Sequence, residues 1–175
     1  VLVALTLASC SGNVPKSDVI DYEMNYTVEG VNFDMLKLPA GHFMMGISYD
    51  NRRKVANGVA QEVALDGFVI SSKPVSQALW TAVMGSNPSS RQNPSAPVDM
   101  VSWKDVEKFL TKLGKLTGKS FFLPTEAQWE YASQADPKAF AVAGEWCSDT
   151  FDQVPDGASK DDYFDPMTLM INPSG

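Results

Sequence analysis

The chain of 175 residues holds only two cysteines and one histidine. A disulfide-stapled scaffold needs several cysteine pairs, and a zinc or iron site needs three or four nitrogen or sulfur ligands, so neither can be assembled here. Basic residues are outnumbered, 14 Lys and Arg against 21 Asp and Glu, for a net charge of −7. Without a basic face there is nothing to hold a phosphate backbone, which excludes nucleic acid as a partner. No apolar run approaches the roughly 20 residues that span a bilayer. No P-loop, dinucleotide fingerprint or nucleophile elbow occurs, and no internal repeat is visible. Aromatic residues, in contrast, are plentiful: four Trp, nine Phe and five Tyr supply the interior of one globular domain.

Residues 1–8 read V-L-V-A-L-T-L-A and lead through Ser9 to Cys10. A short apolar run closing on small residues has the form of a secretory signal h-region and its cleavage site. Leu7-Ala8-Ser9-Cys10 resembles the bacterial lipobox, in which the cysteine is acylated and the peptide cut before it. Residues 1–9 are therefore expected to be a partial signal peptide that lacks its basic start, and Cys10 the lipidation site. The competing reading of residues 1–9 is a buried N-terminal strand. Residues 10–30 begin Cys-Ser-Gly-Asn-Val-Pro-Lys-Ser, polar and broken by Gly and Pro, as in a flexible tether.

The domain is expected over residues 31–175. Val31, Phe33 and Met35 alternate on one parity and Leu36 and Leu38 on the other, which predicts a strand with a bulge or bend. Pro39-Ala40-Gly41 is a turn and residues 42–46 a second strand. The polar segment 49–61, with Arg52, Arg53 and Lys54, is an exposed loop. Residues 62–71 return to strand pattern, with Val63, Leu65, Phe68 and Ile70 inward and a kink at Asp66-Gly67. Ser76 caps a helix over 77–84 that stops at Gly85. Ser102 caps a second over 103–117, stopped by Gly118, with Trp103, Val106, Phe109, Leu110, Leu113 and Leu116 as its apolar stripe and Lys104, Glu107, Lys108, Lys112 and Lys115 in water. Thr125 and Gln128 form a capping box for a third helix that ends before Asp136-Pro137. From Pro137 onward no regular element is predicted.

In this order the segments resemble the formylglycine-generating-enzyme, or sulfatase-modifying-factor, family, whose domain is a variant of the C-type lectin fold. The matching pieces are Leu38-Pro39-Ala40-Gly41-His42-Phe43-Met44-Met45-Gly46, the run from Val63 to Ile70, Pro74-Val75-Ser76, and Pro97-Val98-Asp99-Met100-Val101-Ser102-Trp103. Most specific is Leu123-Pro124-Thr125-Glu126-Ala127-Gln128-Trp129-Glu130-Tyr131-Ala132, followed by Glu145-Trp146-Cys147-Ser148-Asp149. The resemblance implies an α+β domain with short helices and irregular loops, shortened at its C-terminal side. Between the Trp-Glu-Tyr-Ala helix and the Trp-Cys segment, relatives carry several tens of residues with a calcium-binding loop. Beyond Gly175 they continue into a strand region with the cysteine pair that binds copper.

These departures set the functional expectation. With Cys10 acylated, Cys147 is the one remaining thiol, a packing residue beside Trp146, and no disulfide can form within the mature chain. Iron-dependent members of the wider superfamily use several histidines, and His42 is alone. Glu145 aligns with a family glutamate near calcium, so calcium stays open through Glu145, although the preceding Gly-Asn of the motif has become Ala143-Gly144. Asp149, Asp152, Asp156, Asp161, Asp162 and Asp165 do not follow EF-hand spacing and describe a solvated acidic stretch. Leu123, Pro124, Thr125, Glu126, Trp129, Glu130 and Trp146 carry the family signature with structural roles, as caps and core, and no catalytic residue is assigned. The chain is thus expected to be a lipid-anchored protein of the bacterial cell envelope, periplasmic or at the surface, acting in binding or assembly. It needs no cofactor as it stands, with copper entering only if a further C-terminal segment exists. A protein partner or self-association is expected at an unpaired edge of the strands over 31–38 and 63–70. The alternative is a formylglycine-generating oxidase whose catalytic part lies in that further segment.

Overall fold

The structure, a computed structural model, describes residues 4–6, 21–45, 61–137 and 145–149. Cys10, the loop at 49–60 and the acidic stretch beyond Asp149 lie outside the described residues. The architecture is α+β. A four-stranded antiparallel sheet has the order β1-β6-β3-β2, built from β1 (Ala4–Thr6), β6 (Phe68–Ser71), β3 (Val31–Leu38) and β2 (Asp21–Val28). A second, two-stranded sheet pairs β4 (Gly41–Met45) with β5 (Gln61–Leu65). Helices α1 (Gln77–Met84), α2 (Trp103–Thr117) and α3 (Glu126–Ala135) follow in sequence. Among the described residues no helix is long and apolar enough to cross a membrane.

The parity switch in β3 has a cause other than a bulge. The strand pairs with β6 in unbroken register from Met35↔Ser71 to Leu38↔Phe68. Its two parities serve two cores on opposite faces. Val31, Phe33 and Met35 pack with Val69, Trp80, Phe109 and Leu113 under α1 and α2. Leu36 and Leu38 pack with Phe43, Phe68, Ile70, Trp129 and Tyr131 under α3 and the small sheet. The register shift lies instead in β2, between Asp21 and Met24.

Two further expectations are corrected. Strand β2 falls within the stretch read as tether, so the ordered domain starts no later than Asp21; β2 and β3 join through Glu29-Gly30, both at positive φ (48° and 78°), as a two-residue hairpin with right-handed twist requires. It also covers the edge of β3 that the sequence leaves open. Residues 62–71 are not one strand either: Asp66-Gly67 separates β5 from β6, and the two belong to different sheets.

The helices follow their local signals. Ser76, Ser102 and Thr125 each accept the N–H three residues on, with full capping boxes at Ser102/Asp105 and Thr125/Gln128. Helices α1 and α2 stop at left-handed Gly85 and Gly118. In the stripe of α2, Val106, Phe109 and Leu113 are fully buried and Trp80 of α1 stacks on Phe109 at 4.9 Å. Leu116, expected inside, is 52% exposed, because the core ends one turn before the helix does. Gln77, 2% exposed at the start of α1, makes contacts that carry no sequence signal. Its amide donates to the carbonyls of Arg91 (3.0 Å) and Pro97 (3.3 Å) and its oxygen accepts from Asn87 and the Asn93 backbone (both 2.8 Å). All four hydrogen-bonding positions of the amide are used, and they hold the proline-rich loop over 86–97 against the helix.

Candidate functional site

The segment 145–149 crosses the N-terminus of α3 and brings the signature residues together. Ser148 donates its backbone N–H to the carbonyl of Pro124 at 2.9 Å. The Asp149 carboxylate accepts the N–H of Glu126, one of the unpaired amides at the start of α3, where a negative charge also suits the helix dipole. The Trp146 indole N–H reaches the carbonyl of Val101 at 3.3 Å and its ring meets Trp103 edge to face at 6.1 Å. Leu123, Pro124 and Trp129 are buried, and Thr125 is the cap. Glu130 accepts from Gln134 at 3.2 Å, and Gln134 in turn holds the carbonyl of Met44 on β4. Tyr131, fully buried, donates its hydroxyl to the carbonyl of Pro39 at 3.0 Å. Apart from the acidic groups described next, every contact is a cap, a core contact or an anchor between elements.

The acidic groups give the site its electrostatics. Glu145 is 2% exposed, with its carboxylate beside the Trp129 side chain. Burial pushes its pKa up, with the neighbouring Trp129 side chain pulling the other way. Glu126 is likewise held above the usual carboxylate range, by burial first and then by Asp149 and Glu130. Between them sits Cys147, 0% exposed, whose thiol is pushed well up by burial and then by Asp149, Glu126 and Glu145. A reactive thiolate needs cationic or electropositive surroundings. Cys147 has the reverse; it packs in the core with Tyr131, Ala132 and Ala135, whereas Trp146, its expected companion, borders the other core.

The resemblance implies two metals. The buried carboxyl of Glu145 is an oxygen donor that a hard cation could use, but among the described residues no three His, Cys, Asp or Glu side chains group so as to hold a metal ion. Calcium takes six to eight oxygen ligands, backbone carbonyls among them, and the cysteine pair that the resemblance implies for copper has one thiol, Cys147, among the described residues. His42 is exposed on β4, apart from the site.

The family described as "Sulfatase-modifying factor enzyme 1-like domain" matches residues 24–165. Among solved structures, variable protein 1 of Treponema denticola is similar with a TM-score of 0.57 and 21% identity, over 77% of this chain and 79% of that one, a likeness of fold. PvdO from Pseudomonas aeruginosa is similar with a TM-score of 0.49 and 25% identity, over 67% of this chain and 57% of PvdO, so the chain spans little more than half of its length. No curated protein matches the chain.

Proposed function

The chain belongs to the sulfatase-modifying factor enzyme 1-like domain family, and from that premise we propose that it is a lipoprotein of the bacterial cell envelope, held to a membrane by acylated Cys10, whose domain works by binding or assembly. The observation that carries the non-catalytic part is Cys147: the one free thiol of the described residues is buried and surrounded by carboxylates that oppose its ionisation. Thiol oxidation proceeds from the thiolate, so the surroundings of this residue support a packing role. Leu7-Ala8-Ser9-Cys10 supports the anchor, because small residues before a cysteine after an apolar run are what a lipoprotein peptidase cuts.

Two measurements test the reading. Expressed with a complete leader and fed a fatty-acid analogue, the protein takes the label at Cys10, and Cys10→Ala abolishes both label and membrane attachment; a labelled, membrane-bound Cys10→Ala places the anchor elsewhere. Incubated with a peptide bearing Cys-x-Pro-x-Arg, with and without copper, the chain leaves the peptide mass unchanged. Conversion of that cysteine over several turnovers would instead establish the oxidase.

A further inference from the structure

We propose that the side of β6 now occupied by β1 is a strand-acceptor slot, which in the mature protein takes an extended apolar segment of a partner protein in place of residues 1–9. This rests on the reading above that residues 1–9 are removed before Cys10, and it names the surface through which the domain binds.

Strand β6 is buried at all four positions. One side pairs with β3 and the other with β1, in the register Ala4↔Ile70, Leu5↔Val69 and Thr6↔Phe68. Because β1 is the end strand of its sheet, a cut before Cys10 removes it whole and strips the backbone partners from one side of β6. Buried N–H and C=O groups left in that state are costly, and an open edge is satisfied most directly by another extended chain.

The chemistry of the occupant follows from the surroundings of β6. Val69 belongs to the core under α1 and α2, whereas Phe68 and Ile70 belong to the core under α3. The slot therefore lies between two apolar layers. A strand covered on both faces carries apolar residues at successive positions and not only at alternate ones. The sequence V-L-V-A-L-T-L-A, apolar at every position but Thr6, comes close to that demand. Main-chain pairing gives such a site its affinity and the run of apolar residues its selectivity. A second mature copy of the chain brings neither the seated sequence, lost by the same cut, nor favourable electrostatics, since each whole chain carries −7. A separate protein that presents an uncharged apolar strand brings both.

The test uses wild-type protein extracted from membranes of cells expressing the chain with a complete leader, and its N-terminal mass reports first whether the cut occurred. The probe is a fluorescent peptide Val-Leu-Val-Ala-Leu-Thr-Leu-Ala-Ser with a solubilising lysine tail. Saturable binding with a raised Tm is expected, together with slowed amide exchange confined to residues 68–71 and their neighbours. Antiparallel pairs exchange hydrogen bonds at alternate residues, so N-methylation through positions 4–6 of the peptide weakens binding about tenfold at every second amide. No binding by the cut protein, binding indifferent to N-methylation, or protection elsewhere overturns the slot and leaves the lipoprotein reading intact. A mature dimer that the peptide dissociates assigns the slot to a second copy and overturns the separate partner. Residues 1–9 still attached in the extracted protein overturn the leader reading, and the vacated slot falls with it.

Discussion

Glu145 is a carboxyl whose burial in the fold disfavours its charged form. Its folded-state pKa lies above the ordinary 4.5, with burial as the cause, so between the two values the folded chain keeps a proton that the unfolded chain has released. Stability is then greatest, as far as this group is concerned, below the unfolded value and is lost as pH rises through the folded one. Glu126 shares the sign, through burial and the like charges of Asp149 and Glu130. Glu145→Gln keeps the shape and removes the titration. The variant is expected to melt above the parent at neutral and mildly alkaline pH, with the difference closing as pH falls towards 4.5; thermal melts across that range check it, and a variant that melts below the parent at pH 8 contradicts it. The lone thiol and the caps at Ser76, Ser102 and Thr125 were legible from neighbours a few residues away. The burial of Glu145 was not, because it depends on Trp129 and on the crossing of two segments far apart in sequence.

At the scale of elements, α2 carries Gly114 in its interior, where alanine favours a helix by about 0.8–1 kcal/mol. A Cβ there would stand 2.7 Å from the carbonyl oxygen of Lys119, in the backbone that turns back after Gly118. Gly114→Ala is therefore expected to lower stability, by about 1–3 kcal/mol as other overpacked sites do, read from the denaturant midpoint. A gain would show that the turn moves aside freely. The helices were the most readable part of this protein, since 3.6-residue periodicity, an N-cap and a terminal glycine are all local. The sheets were not. Nothing near Asp21–Val28 marks it as a partner for β3, and nothing at Asp66-Gly67 says that the chain changes sheet there. The role of Gln77 was equally hidden, because its four partners are spread over Asn87 to Pro97 and three of them are backbone groups.

At the scale of the molecule, one sheet separates two cores, and β3 and β6 contribute to both. That arrangement couples them. Ile70→Ala opens only the core under α3 and is expected to cost about 2–5 kcal/mol. Amide exchange in α2 should nevertheless quicken together with that in α3, because neither core persists without β6; unchanged protection of α2 would mean two separately unfolding halves. The second core also imposes an order in time. Its closing contact joins the hydroxyl of Tyr131 to the carbonyl of Pro39, 92 residues earlier in the chain. At a synthesis rate of about 5–20 residues per second, Pro39 leaves the ribosome roughly 5–20 s before Tyr131 does. Throughout that interval Leu36 and Leu38, joined later by Phe68 and Ile70, have no α3 to cover them. A nascent chain that is apolar and unclosed for so long is a substrate for chaperones, and one that has not yet locked its fold can still be threaded through a narrow translocation channel.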